Sequence, residues 1–152
     1  MGGDDDTGIY YHTLGKTTFF KLLKKAKEKL DKNQGRDLIT RLVRQNDFLS
    51  YLAYFDTCNP DGDYNVFPFL EFMKNLKLSK KPLFRHFKSI KKPTLVIYGE
   101  KDEWGWGNVA KIINILKTQK PEFDYKIIKE ADHSFSQHQK ELAKIMSDWL
   151  SK

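Results

Sequence analysis

The sequence predicts an α/β fold in which a helical region precedes a strand-helix-strand-helix unit with parallel strands. Three observations predict this class. Apolar residues recur at helical spacing before residue 90, an unbroken apolar run with β-branched members lies between Pro93 and Gly99, and helical and strand patterns alternate after it. The 152 residues have the length of one domain. Alternating strands and helices favour a parallel sheet that is covered by helices.

The first two predicted regions are residues 1–13 and 14–90. Residues 1–13 are acidic and rich in glycine and show no apolar period, so we expect a loose N-terminal segment. Residues 14–90 are expected to be helical. The expected helices lie at residues 17–30, from the capping residue Asp47 through Phe55, at residues 68–77 and at residues 83–87.

The third predicted region, residues 91–152, contains both strands. Residues 94–98 are apolar throughout, as in a strand that is buried on both faces of a parallel sheet. A helix, a second short strand and a final amphipathic helix follow. The apolar residues of these three elements are Val109, Ile112, Ile113 and Leu116, then Tyr125, Ile127 and Ile128, then Leu142, Ile145, Met146, Trp149 and Leu150. Two strands are too few for an ordinary sheet, so we expect further strands upstream of this sequence.

The net charge of +7 comes from lysine, since 23 Lys accompany 4 Arg. Proteins that read a nucleic-acid sequence favour arginine, whose planar group binds bases and phosphates bidentately. We therefore expect a solvated basic surface and no nucleic-acid partner. A weak site for polyanions between Lys74 and Lys92, where basic residues are densest, is the open alternative.

Neither a membrane nor an oxidising compartment is predicted. The sequence has no apolar run of about 20 residues, the length of a membrane span. Its acidic, glycine-rich beginning differs from a signal peptide. The single cysteine, Cys58, excludes an internal disulfide and a multi-cysteine zinc site. We therefore expect a cytosolic protein without a metal or another cofactor.

Two residues follow the predicted strands and could act together. Asp102 comes just after the first strand and His133 just after the second. The carboxyl ends of parallel neighbours meet at one edge, where a carboxylate can orient an imidazole that serves as a general base. Asp102 could instead cap the following helix, and a nearby carboxylate could replace it as the acid if the register differs. These carboxylates are Glu103, Glu130 and Asp132.

The surroundings of both residues resemble the C-terminal part of an α/β-hydrolase. The stretches that carry the resemblance are PTLVIYGEKDE at residues 93–103, ADHSF at residues 131–135 and DWL at residues 148–150. In that family the catalytic residues come in the order Ser, Asp, His. The resemblance implies that Asp102 and His133 are catalytic and that the helical region is a cap. It also implies a small-molecule substrate with an ester, thioester or similar bond.

The nucleophile that this resemblance requires is missing from the sequence. The family places its serine in a G-x-S-x-G turn, and none of the seven serines has those flanking glycines. An H-G-G-G loop for the oxyanion is absent as well. We therefore expect a truncated hydrolase that is inactive alone. Cys58 has no local base and is expected to be a packed thiol.

A different class of function is a non-catalytic interaction module. In this interpretation the exposed sheet edge pairs with another polypeptide. The expected partner is a complementary N-terminal fragment or a second copy of the chain.

Overall fold

The structure is a computed structural model, and it describes residues 5–39 and 49–151. Helices account for 48% of these residues and strands for 9%. In chain order the elements are α1 (Asp6–Leu14), α2 (Lys16–Asp31), α3 (Tyr51–Cys58), α4 (Phe69–Met73), α5 (Arg85–Ser89), β1 (Leu95–Gly99), α6 (Val109–Gln119), β2 (Asp124–Ile128) and α7 (Gln139–Leu150). Within the two described ranges, none of the helices is both long and apolar enough to cross a membrane.

The predicted fold class is wrong. The sequence predicts an α/β fold, the C-terminal part of an α/β-hydrolase with a helical cap and a β-α-β-α unit. The described residues are instead mostly helical, with seven helices and one sheet of two strands. The physical reason is that each strand has only five residues. Two short strands cannot form the layered sheet core of that class. Most of the chain has the apolar spacing of helices, so the fold is mainly helical.

The described residues divide into two compact units, residues 5–86 and residues 87–151. We call them the helical unit and the sheet unit. In the helical unit, α2 and α3 pack against each other around a core of fully buried side chains. These side chains are Phe19, Ala26, Tyr54 and Cys58. The lysine-rich face of α2 stays exposed, in agreement with its amphipathic spacing.

Helix α1 occupies most of the segment for which the sequence predicts no regular structure. Asp5 caps it by accepting a hydrogen bond from the backbone N–H of Gly8 at 2.8 Å. The same carboxylate accepts the backbone N–H of Leu70 at 2.5 Å. Asp5 is only 2% exposed, so one buried carboxylate ties the start of α1 to the start of α4. The sequence does not indicate this helix because its apolar residues do not recur at helical spacing.

Three other helix boundaries differ from the sequence predictions. The predicted cap Asp47 lies outside the described residues, and α3 begins after Ser50, whose hydroxyl accepts the backbone N–H of Ala53 at 3.1 Å. The helix predicted at residues 68–77 is limited to α4, since Asn75 has a left-handed backbone conformation with φ 50°. The helix predicted at residues 83–87 is observed as α5, which begins two residues later.

In the sheet unit, β1 and β2 pair in parallel. Leu95 lies opposite Asp124 and Gly99 opposite Ile128, so the two strands end level with each other. Helix α6 connects them and buries its apolar stripe. The residues of that stripe are Val109, Ile112, Ile113, Ile115 and Leu116. Helix α7 differs, because none of its residues is buried although its sequence is amphipathic.

Candidate acid–histidine site

The loops that follow β1 and β2 leave the sheet side by side. The parallel register puts Gly99 opposite Ile128, and the next residues continue the contact. The backbone N–H of Glu100 donates to the carbonyl of Ile128 at 2.9 Å, and that of Lys101 donates to the carbonyl of Ala131 at 2.8 Å. The backbone therefore joins the two loops before any side chain takes part.

Gly99 permits this close approach. A Cβ atom at this position would lie 2.4 Å from the carbonyl oxygens of both Ala131 and Asp132. These contacts are with backbone atoms, which cannot move aside as a flexible side chain can. Glycine at the end of β1 thus lets the second loop cross directly over the first strand.

Asp102 and His133 meet where the loops run together. The imidazole Nδ1 of His133 lies 3.0 Å from Oδ2 of Asp102 and 3.2 Å from Oδ1. Asp102 is 7% exposed to solvent, while the side chain of His133 is 31% exposed. An ionised carboxylate only accepts hydrogen bonds, so Nδ1 is the donor in this contact. In the neutral imidazole, Nε2 is then the nitrogen with the lone pair that a general base needs. The two residues that the sequence predicts as a pair are in contact.

A backbone group holds the carboxylate in place. The N–H of Trp104 donates to Oδ1 of Asp102 at 2.9 Å. Glu103 acts on the other loop, since its Oε2 accepts the backbone N–H of His133 at 3.3 Å. Both residues of the pair are thus positioned by the loop after β1. No residue pattern in the sequence indicates these two bonds.

The loops also contain unusual backbone conformations. Among the described residues of the sheet unit, every non-glycine residue with a positive φ lies in one of these two loops. They are Trp106 with φ 52°, Glu130 with φ 60°, Phe135 with φ 54° and Gln137 with φ 64°. Left-handed conformations cost free energy for such residues, and they concentrate where a structure must hold functional groups in fixed positions.

The alternatives to Asp102 as the acid have other partners. Glu130 pairs with Lys101 at 2.5 Å. Asp132 accepts the backbone N–H of Ser136 at 2.7 Å, and this hydrogen bond lowers the pKa of its carboxyl. Asp102 is not the cap of α6 either. That cap is Asn108, whose side chain accepts the backbone N–H of Lys111 at 2.9 Å. Asparagine directly before the apolar stripe was a readable signal for it.

Other nucleophile and metal candidates lie elsewhere. Cys58 is fully buried in the helical unit, and burial raises the pKa of its thiol. The hydroxyl of Ser79 donates to Asp61 at 2.9 Å in the same unit. His86 lies 3.7 Å from Asp63. In the described part of the chain, no three His, Cys, Asp or Glu side chains come together as a metal site.

No family model, curated protein or solved structure matches this chain. The resemblance to the C-terminal part of an α/β-hydrolase, which residues 93–103 and 131–135 suggest, therefore stays a prediction. The candidate site rests on the geometry of Asp102 and His133 alone.

Proposed function

We propose that Asp102 and His133 form the acid–base half of a serine-hydrolase-type site for a small molecule with an ester or thioester bond. The observation that carries this proposal is the 3.0 Å contact between Nδ1 of His133 and the buried carboxylate of Asp102. This arrangement leaves Nε2 as the basic nitrogen and fixes the plane of the ring.

In this function His133 moves a proton twice. Its Nε2 takes the proton of a nucleophilic hydroxyl as the oxygen attacks the carbonyl carbon of the substrate, and the imidazolium that forms is stabilised by Asp102. It then gives the proton to the departing alkoxide or thiolate, which leaves an acyl-oxygen bond on the nucleophile. Water repeats the cycle with the acyl group as the electrophile. The sequence contains no G-x-S-x-G turn, so we place the hydroxyl outside this chain.

The proposal predicts how the chain behaves alone. With an activated ester we expect no serine-hydrolase turnover and no burst, since no acyl intermediate accumulates. The slow, linear release of the alcohol that remains is hydrolysis by water, with His133 as its general base. The His133→Gln variant should lose more of this rate than the control His12→Gln, which changes an exposed histidine of α1. A fluorophosphonate should not label the protein. Stoichiometric labelling would place a complete nucleophile in this chain and contradict the half-site.

The contact itself can be measured by proton NMR. A proton held between Nδ1 and a carboxylate resonates far downfield of other imidazole protons. We expect this signal in the unaltered protein and in the control Asp148→Asn, which changes an exposed residue of α7. It should disappear in Asp102→Asn and in His133→Gln. A downfield signal that survives Asp102→Asn contradicts the proposed pair.

A second candidate function is a non-catalytic interaction module. A cytosolic location is compatible with both candidate functions. The observation that favours the second is that, among the described residues, no strand other than β2 pairs with β1. An exposed strand edge binds another extended segment through backbone hydrogen bonds.

The open alternative from the sequence is a weak polyanion site between Lys74 and Lys92. Such a site requires that the affinity for a polyanion fall steeply with salt, which a binding titration at two ionic strengths measures.

A further inference from the structure

Strand β1 has one edge on which its backbone can bind another strand. The carbonyl of Thr94 accepts the N–H of Asp124 at 3.0 Å, and the N–H of Glu100 donates to Ile128 at 2.9 Å. Residues alternate along a parallel ladder, so the backbone groups of Leu95 and Ile97 point away from β2. No strand of the described ranges lies on that side. Within Leu95–Gly99 there is no charged residue and no proline to protect the edge.

An apolar groove lies next to this edge. It has a volume of about 300 Å³, and its lining includes Leu95 and Ile97 of β1 with Met146, Trp149 and Leu150 of α7. Met146 is 46% exposed and Leu150 is 74% exposed. The Nε1 of Trp149 donates to Asp124 at 2.6 Å, which fixes one wall of the groove. Exposed apolar area beside unpaired backbone groups is typical of an interaction surface.

The charges at the two ends of β1 are complementary to each other. Lys91 and Lys92 precede the strand, are exposed, and pair with no carboxylate in the described part of the chain. Glu100 and Glu103 follow the strand and are exposed too, and the charge of Lys101 between them is paired with Glu130. One end of the edge is therefore basic and the other acidic. A second copy in antiparallel orientation brings each basic end to an acidic end, whereas a parallel copy brings like charges together.

We propose that the chain forms a two-fold symmetric dimer in which β1 pairs with β1 of a second copy in antiparallel orientation. Centring the pairing on Ile97 places Leu95 opposite Gly99. The two Ile97 residues can then exchange both of their backbone bonds, and the N–H of Gly99 can donate to Leu95, while the Gly99 carbonyl keeps its bond from the N–H of Asp102 at 3.2 Å. It directs Lys91 toward Glu103 of the other copy. The two-fold axis keeps both α7 helices on the same face of a four-stranded sheet, where the two grooves join and bury Met146 and Leu150.

This inference rests on the interaction candidate above and not on the hydrolytic one. Sedimentation equilibrium of the full chain should show a monomer–dimer equilibrium that depends on concentration. The Leu150→Glu variant should weaken the dimer at least about tenfold, because it places a charge in the apolar layer. The matched control Tyr64→Glu, which alters a side chain of the helical unit with 69% exposure, should leave it unchanged. The downfield signal of the acid–histidine pair should persist in Leu150→Glu, which separates the two proposals.

Charge reversal tests the orientation of the strands. Lys91→Glu and Glu103→Lys should each dimerise more weakly than the unaltered chain, and an equimolar mixture of the two should recover a heterodimer. Lys111→Glu changes the net charge equally on the exposed face of α6 and should have no effect. A chain that stays monomeric at high concentration overturns the proposal. A dimer that is insensitive to Leu150→Glu, or a mixture without recovery, overturns it as well. Circular dichroism of each variant confirms that the fold is kept.

Discussion

The helical unit and the sheet unit distribute their apolar side chains in opposite ways. In the helical unit, α2 and α3 enclose their largest side chains, and Phe19 and Tyr54 have no exposed surface. In the sheet unit α6 is buried, but α7 has no buried residue at all. In the sheet unit, the two loops that hold Asp102 and His133 are joined by backbone and side-chain hydrogen bonds. The helical unit therefore completes its own core, whereas the sheet unit positions the acid–histidine pair and leaves the apolar face of α7 exposed.

A substitution in the core of the helical unit should change stability most. Phe19→Ala removes a fully buried ring that packs edge-on against Tyr11 at 5.5 Å between ring centres. Such a deletion costs about 3–5 kcal/mol of the free energy of unfolding, because a cavity remains. Met146→Ala, on the open face of α7, should cost less than about 1 kcal/mol. Urea denaturation measures both. Similar losses for the two variants would show that α7 is as well packed as α2.

The next effect concerns the backbone contact between the site loops. Gly99→Ala puts a methyl group 2.4 Å from two backbone carbonyls, so the loop after β2 must move. We expect a loss of about 1–3 kcal/mol in stability, the range typical of single mutations. The downfield proton of the Asp102–His133 contact should also disappear. Gly35→Ala is the matched control in the helical unit, where the new methyl group meets the Leu30 and Leu52 side chains at 3.3 Å. A retained NMR signal in Gly99→Ala would show that the close approach does not position the pair.

The sequence predicted the candidate pair better than the fold. Asp102 and His133 could be placed together because each directly follows a short apolar run, and strand ends are fixed by the pattern within a few residues. The fold class could not be obtained in this way. Two strand signals of five residues each do not reveal how little sheet there is. The apolar residues of α1 form no stripe. The bond that joins its capping residue Asp5 to Leu70, 65 residues away, also leaves no local pattern.

The interactions that position Asp102 and His133 could not be predicted either, because they depend on how the two loops fold against each other. The bond from the backbone of Trp104 to Asp102 depends on a turn, and the positive φ of Glu130 and Phe135 depends on how two loops pack. Neither follows from residue type, since none of these three is a typical turn former. Gly99 was a readable signal, because a glycine directly after a buried strand often marks a close approach of the backbone.

A weaker effect concerns the pH dependence of unfolding that arises in the loop carrying His133. The hydrogen bond from the backbone of Ser136 lowers the pKa of Asp132. A carboxyl with a lowered pKa in the folded state stabilises the fold above the ordinary aspartate pKa of about 3.9, and this contribution is lost as the pH falls through the lowered value. Asp132→Asn should therefore reduce the dependence of unfolding on pH below about 4. Asp31→Asn, an equal change of charge at the end of α2, is the control. Hydrogen exchange of the Ser136 amide locates the effect, since protonation of Asp132 weakens the acceptor of that N–H. The exchange rate must first be corrected for the intrinsic pH dependence of amide exchange. A corrected rate that does not change with pH would contradict the role of Asp132.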